Sequence, residues 1–313
     1  MPKRRPHAAA DEAPPRTGRS GRKPRAAVGR RLGPPREAAP RSAVSHPRAS
    51  PRSPAERHRG TGEETYHGLH ACEAVFARRP ESIVRVYLTD AVRQRLGTLL
   101  RYCSSTRRGY RLVDAESLDR IAGTKHHEGI AILAKAIPHR DAADLFSSIT
   151  AGQNTGPWLY LDGVSNPHNL GSILRTAAHF GCSGILGRDG ELPPLSPAAV
   201  RVAEGAAEQV PVYELADPRA DLARLQAAGL RLVATTSHRG TPLQAAGLSR
   251  RCVLILGSEG TGMTRPLERL ADTTVCIPGT GSVESLNVAV ACGILLAETC
   301  RQPAASPAES GGG

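Results

Sequence analysis

Three loops of this chain concentrate residue types that can do chemistry. The first runs Leu161-Asp162-Gly163-Val164-Ser165-Asn166-Pro167-His168-Asn169-Leu170-Gly171-Ser172-Ile173-Leu174-Arg175. Asn169 or its neighbour can cap a helix there, Gly171 allows close approach, and Arg175 on the first turns is expected to face the strand ends. A guanidinium is a fixed cation with five donors, suited to a phosphate or a developing oxyanion. Taken alone, such an arginine is more commonly a solvated salt-bridge partner. The second loop, Ile255 to Met263, sets three glycines around Glu259, which suggests backbone packed against a flat ligand and a carboxylate aimed at a polar group. A plain strand-to-helix turn has the same composition. The third loop, Cys276 to Val290, ends in Ser285 and Asn287 at the start of an apolar helix, and Ser285 can serve simply as its cap.

The elements that must hold these loops alternate with regularity. The pattern predicts strand Trp158–Leu161, helix Leu170–Phe180, strand Gly184–Leu186, helix Pro197–Ala207, strand Val210–Tyr213 and helix Arg219–Ala228. Strands Arg231–Thr235, Cys252–Leu256 and Thr274–Ile277 and helix Leu286–Arg301 follow. Such alternation implies a mainly parallel sheet covered on both faces, with ligands at the carboxyl ends of its strands. A smaller α/β unit precedes it. Leu69, Cys72, Val75 and Phe76 mark one face of a helix, followed by strand Ser82–Thr89, helix Asp90–Cys103, strand Tyr110–Val113, helix Glu116–Ile121 and strand Gly129–Ala134. The expected division is a small domain over 63–136, a linker over 137–156 with a helix at Ala142–Ile149, and a large domain over 157–302.

Charge is spread unevenly over the 313 residues. Residues 1–60 hold 16 Lys and Arg against 4 Asp and Glu, so the whole net charge of +12 resides there and the remainder is balanced. That stretch also holds 11 of the 25 prolines and no Phe, Trp or Tyr, and cannot bury enough apolar surface to offset the entropy of ordering. Residues 1–62 are expected to be a disordered basic tail, either an arm that follows RNA phosphates or a solubilising extension; residues 303–313 are expected to be a disordered C-terminal tail. No apolar run is long enough for a bilayer span and no secretory signal opens the chain, so a soluble, intracellular protein is expected. The seven cysteines are scattered without metal-ligand spacing, which implies buried reduced thiols and no metal site. His126 and His127 read as structural histidines. No G-x-G-x-x-G, phosphate-binding P-loop or G-x-S-x-G pattern is present, which disfavours a dinucleotide-dependent oxidoreductase and an ordinary serine hydrolase.

Together, in order and spacing, the loops resemble something specific. N-L-G-x-x-x-R at Asn169–Arg175, L-G-S-E-G-x-G at Leu256–Gly262 and I-P-x-x-G-S-x-x-S-L-N-V at Ile277–Val288 are similar to the three signature motifs of the SpoU/TrmH family of RNA ribose 2′-O-methyltransferases. The likeness covers residues 66–301 and is greatest to the rRNA guanosine branch; His127-Glu128-Gly129-Ile130-Ala131 resembles the end of its small substrate-binding domain.

The resemblance implies an α/β fold whose large domain is a SPOUT trefoil knot, preceded by a small α/β domain that binds the RNA substrate. It implies S-adenosyl-L-methionine as cofactor, held by Gly257, Ile277 and Leu286 with Thr235, Pro278 and Ser285 nearby. Arg175, Asn169, Glu259 and Asn287 would form the catalytic set, with Arg175 facing the ribose. It further implies a cytoplasmic homodimer with active sites at the subunit interface, acting on structured RNA, rRNA rather than tRNA. A ribose hydroxyl is a poor nucleophile, and an arginine with a pKa above ~12 is a poor proton acceptor. Arg175 is therefore expected to orient the hydroxyl and stabilise developing negative charge, while a substrate phosphate or water receives the proton. Two positions depart from the pattern: Gly279, where many members carry Met, and Glu204, where small or hydroxyl residues are usual. These departures leave a second class open, an RNA-binding ribosome-assembly factor that keeps the fold without the transferase activity.

Overall fold

The computed structural model describes residues 62–152, 156–237, 239–260 and 262–302. The expected N-terminal and C-terminal tails lie outside the described residues, save Gly62.

Residues 62–135 build a four-stranded mixed sheet from β1 (Glu63–His67), α1 (Leu69–Arg78), β2 (Ile83–Leu88), α2 (Gly97–Ser105), β3 (Gly109–Leu112), α3 (Ala115–Ala122) and β4 (Ile130–Lys135). The strand order is β1-β4-β2-β3, with β4 antiparallel to both neighbours and β3 parallel to β2. Strand β1 has no counterpart in the sequence reading, because only Tyr66 and His67 of its five residues are buried and alternation over two residues carries no signal. Its pairing with β4, Tyr66 opposite Ile132, creates it. The helix expected over Asp90–Cys103 is instead a single 3-10 turn, Asp90–Val92, and then α2, which starts at Gly97. Glycine is a poor interior helix residue, and the chain uses Gly97 as a beginning.

After α4 (Ala142–Thr150) come β5 (Trp158–Asp162), α5 (Pro167–His179), β6 (Gly184–Arg188), α6 (Pro197–Val202), β7 (Val212–Leu215), α7 (Pro218–Ala227) and β8 (Arg231–Thr236). Then follow β9 (Thr241–Pro242), β10 (Cys252–Gly257), α8 (Arg265–Leu270), β11 (Thr273–Cys276) and α9 (Val288–Arg301). The seven strands lie in the order β7-β6-β5-β10-β8-β11-β9, every pair parallel. Alternate residues of the central strands feed two cores. Trp158 and Tyr160 of β5 with Val253 and Ile255 of β10 pack beneath α7 and α8, among Leu222, Leu225 and Leu267. Leu159, Leu161, Leu254 and Leu256 pack on the other face with Ile173 and Leu174 of α5 and Leu295 and Leu296 of α9. That second core is continuous with the small sheet through Tyr66, Val75 and Ile132.

The expected helix to Ala207 stops at Val202, because Glu204 and Gly205 take left-handed backbone, φ 46° and 88°, before a 3-10 turn at Ala206–Glu208. Gly205 is required there: a Cβ would meet the Ala74 Cβ at 2.8 Å and the His70 carbonyl oxygen at 3.2 Å on α1. The turn is thus shaped for α1 to lie on it. Beside it Arg79 donates through Nε to both Glu208 carboxylate oxygens at 2.8 Å, a pair almost wholly removed from solvent. Burial pushes the Glu208 carboxyl above its ordinary range, and the Arg79 charge works against that rise. All seven cysteines are free and none is exposed, and burial pushes the Cys252 and Cys292 thiols up to about 12. Among the described residues no helix is long and apolar enough to cross a membrane.

Candidate functional site at the carboxyl edge of the large sheet

The three chemically rich loops converge. Parallel registry sets Asp162 beside Gly257 at the ends of β5 and β10, and Thr236 beside Cys276 at the ends of β8 and β11. Thr235 donates through its hydroxyl to the Ile255 carbonyl at 2.9 Å, tying β8 to β10 just before Gly257. Ile277 and Pro278 leave β11 at the same edge. Further along the chain, Asn287 meets the loops after β5 and β10.

Glu259 is the centre of the arrangement. Its Oε1 accepts from Asn169 Nδ2 at 3.1 Å, from Asn287 Nδ2 at 2.7 Å and from the Val288 backbone N–H at 3.2 Å. Asn287 Nδ2 also donates to Asn169 Oδ1 at 3.1 Å. One side chain from each loop thus meets the others, and the carboxylate lies at the positive end of α9, where an anion is favoured. Asn287 is also the cap of α9, its Oδ1 accepting from the Ala289 and Val290 N–H groups at 3.0 and 3.4 Å. This corrects the expectation for Ser285, which lies outside the helix and exposed. Likewise the cap of α5 is Asn166, whose side chain accepts from His168 N–H, which frees Asn169 for Glu259.

The backbone around Glu259 folds back on itself, Ser258 and Gly262 exchanging hydrogen bonds at 3.0 and 3.2 Å. A Cβ on Gly257 would come within 2.4 Å of the Gly262 carbonyl carbon and the Met263 nitrogen, so that glycine is needed for the loop itself. Asp162, which the sequence reading passed over, pins the far end: its Oδ2 accepts from the Thr264 N–H at 2.6 Å. The available signal was a carboxylate closing the otherwise apolar strand Trp158-Leu159-Tyr160-Leu161.

Arg175 is not part of this cluster. It stands six residues beyond Asn169 on α5, roughly 9 Å along the axis and about two-thirds of a turn around it. Its guanidinium meets Glu204, Nη1 to Oε1 at 3.0 Å, on the rim of a recess of about 550 Å³ that His179 and Gln209 also line. The expectation that Arg175 faces the strand ends of its own chain is therefore corrected: helix phase turns it toward the segment after α6. Gly171 fills the close-approach role foreseen for it, packed where a Cβ would meet the Ala199 carbonyl oxygen at 2.5 Å. His127 is structural: Nε2 lies 2.9 Å from Asp119, and Nδ1 accepts from the Gly129 N–H at 3.0 Å. Among the described residues no three His, Cys, Asp or Glu side chains are grouped to hold a metal ion.

A mainly parallel α/β sheet whose carboxyl edge gathers three glycine-rich loops and the start of α9 defines the class: an α/β fold of the kind that binds ligands across adjacent strand ends. Residues 157–297 match the SpoU rRNA methylase family, and residues 67–139 match the RNA 2′-O ribose methyltransferase substrate-binding family. A protein described as the uncharacterized tRNA/rRNA methyltransferase YfiF of Escherichia coli O157:H7 is 38% identical over 245 residues, spanning 78% of this chain and 70% of that one. The 23S rRNA (guanosine-2′-O-)-methyltransferase RlmB of Shewanella oneidensis is 34% identical over 241 residues, 77% of this chain and 98% of that one. The crystal structure of an AdoMet-bound rRNA methyltransferase from Sinorhizobium meliloti superposes with a TM-score of 0.63 at 25% identity, covering 76% of this chain and 87% of that one. The chain belongs to the SpoU rRNA methylase family, on a match that takes in all three loops.

Proposed function

We propose that this protein transfers the methyl group of S-adenosyl-L-methionine to the ribose 2′-hydroxyl of a nucleotide in rRNA. The observation that carries the reading is the hydrogen-bonded meeting of Asn169, Glu259 and Asn287, one residue from each family motif, at the carboxyl edge of the sheet. Relatives named as 23S rRNA guanosine methyltransferases align along nearly their whole length, which favours rRNA over tRNA. An rRNA substrate implies a cytoplasmic protein. The non-catalytic assembly-factor reading is disfavoured, since Arg175, Glu259 and Asn287 are all retained.

The residues present fit the cofactor. Ile277 is half-buried, the Leu286 and Val283 side chains are exposed at the third loop, and Cβ positions on Gly260, Gly279 and Gly281 meet nothing within 4 Å. An apolar, glycine-lined shelf of this kind suits a flat nucleoside. Gly257, Ile277, Leu286, Thr235, Pro278 and Ser285 would hold it, with Glu259 and Asn287 fixing the loops. When bound, S-adenosyl-L-methionine supplies an electrophilic methyl group on a sulfonium. Arg175 orients the ribose hydroxyl and stabilises its developing negative charge, while a substrate phosphate or water takes the proton. Residues 63–136 would present the RNA.

Dimerisation belongs to the same proposal. Arg175 lies away from its own chain's cluster, and α9 carries exposed Val290 and Ile294, 52% and 38% accessible and four residues apart on one face. We propose that a second copy sits on that face, with one chain's Arg175 acting at the other chain's cofactor site. The test of function is transfer of labelled methyl from S-adenosyl-L-methionine to total RNA from cells lacking the protein, with Arg175→Ala in parallel. Incorporation at a site resistant to alkaline cleavage, lost in the variant, is expected; no incorporation into rRNA despite cofactor binding would sink the reading.

A further inference from the structure

We infer that Glu204 is a positioning residue for Arg175, and that the small domain sets Glu204 through the segment 201–208. The inference rests on the reading above, in which Arg175 orients the ribose hydroxyl.

Four residues of the segment, Arg201, Glu204, Gly205 and Glu208, define the device. Glu204 Oε1 holds Arg175 Nη1 at 3.0 Å, with the two side chains 44% and 59% exposed. An ion pair so open to water adds little to stability. Glu204 nevertheless keeps a backbone conformation that favours glycine, φ 46°, directly before Gly205 at 88°. Strain of that kind, unrewarded by its contact, points to function. What enforces it lies on either side. Upstream, Arg201 donates through Nε to the His126 carbonyl at 2.7 Å and through Nη2 to Glu128 Oε1 at 3.2 Å, and Glu128 in turn accepts the Leu69 N–H at 2.8 Å. Downstream, Glu208 is clamped by Arg79. Between them Gly205 lies against Ala74 and His70 of α1. Both ends of the strap are tied to the small domain, and its middle residue grips the arginine.

The chemistry gives this arrangement a purpose. An arginine side chain is long, and freezing its rotamers during the reaction costs rate unless the freezing is done beforehand. The ion pair restricts where the guanidinium can go and keeps it beside the 550 Å³ recess, which has room for a ribose and its phosphate. The small sheet and the guanidinium are thereby linked through one segment.

The experiment is single-turnover methyl transfer to the rRNA substrate at saturating S-adenosyl-L-methionine, alongside RNA affinity by filter binding. Glu204→Ala, Glu204→Gln, Arg201→Ala, the Glu204→Ala/Arg201→Ala double variant and Arg175→Ala are compared with the parent. Glu204→Ala is expected to slow the chemical step by about 10- to 100-fold while RNA affinity stays within about threefold. Glu204→Gln, which keeps an oxygen beside the guanidinium but loses the charge, should recover part of the rate, and the double variant should be less impaired than the product of the single effects. A parental rate in Glu204→Ala and Glu204→Gln, with Arg175→Ala inactive, would overturn the inference and leave the role of Arg175 standing. A faster Glu204→Ala would overturn it too, by revealing the carboxylate as a competitor of RNA. Full activity of Arg175→Ala would instead remove the reading beneath it. If Glu204→Ala melts early, the isosteric Glu204→Gln carries the test.

Discussion

At the scale of single residues, geometry and charge separate the roles that composition runs together. Arg175→Lys keeps the positive charge but not the planar fork, and a point charge cannot orient a hydroxyl and stabilise its oxygen at once. We expect turnover to fall about 10²-fold with cofactor affinity by calorimetry unchanged, because the guanidinium is assigned to the ribose hydroxyl and not to holding the cofactor; near-normal turnover would disprove the orienting role. Asn287 does two things, capping α9 and bonding Glu259. Its replacement by Ala should therefore cost about 1–2 kcal/mol in urea denaturation and also weaken S-adenosyl-L-methionine binding. A stability loss with unaltered binding would leave Asn287 as a cap alone.

At the scale of elements, the contact between α1 and the turn after α6 is the most exacting. Glu208 is 3% exposed in its side chain and depends on Arg79. Removing Arg79 leaves a buried carboxylate unpaired, and Arg79→Ala should lose about 3–5 kcal/mol at neutral pH. The sign of its pH dependence follows from the burial of Glu208. Its folded-state pKa is already raised, and loss of the opposing positive charge raises it further. A raised carboxyl pKa favours the folded state only while the group is protonated, so stability is retained below the ordinary glutamate range and lost as pH climbs through the folded value. Denaturation midpoints of the variant should accordingly decline, as pH rises above the ordinary glutamate range, more steeply than those of the parent; parallel curves would mean that Glu208 is not the responsible group.

At the scale of the whole molecule, the separation of Arg175 from the Asn169–Glu259–Asn287 cluster makes a prediction about assembly. If each site takes Arg175 from one chain and the cluster from its partner, a mixture of inactive Arg175→Ala and inactive Glu259→Ala chains should regain activity after exchange, since a mixed dimer has one intact site. The yield is bounded at about one quarter of the parental activity, because half of the randomly paired dimers are mixed and each of these has one good site of two. Co-refolded mixtures assayed for methyl transfer would check it, and no recovery despite proven mixing would show that both residues act within one chain. Introducing a charge on α9 with Val290→Glu should, in the same picture, reduce both dimer fraction in light scattering and activity.

Much of this was legible in the chain itself. The alternation of strands and helices, the burial of β5 and β10 on both faces, and three loops in family order are written in short-range spacing, and short-range spacing is what sequence displays. The cofactor and reaction class followed from the resemblance that those loops, taken together, bear to the SpoU/TrmH family. Partner choice was not legible. Asn169 and Glu259 are 90 residues apart and Asn169 and Asn287 are 118 apart, and their meeting depends on where the chain after β11 crosses the sheet edge. The direction of Arg175 was decided by helix phase, once Asn166 rather than Asn169 proved to start α5. Strand β1 exists because β4 pairs with it, and Glu204 came to face Arg175 because α1, which packs with the small sheet, bends the chain after α6. Sequence determined which groups the protein owns and the loops that carry them; only tertiary packing decided which of them touch, because contact between distant residues is set by the path of the chain and not by their spacing along it.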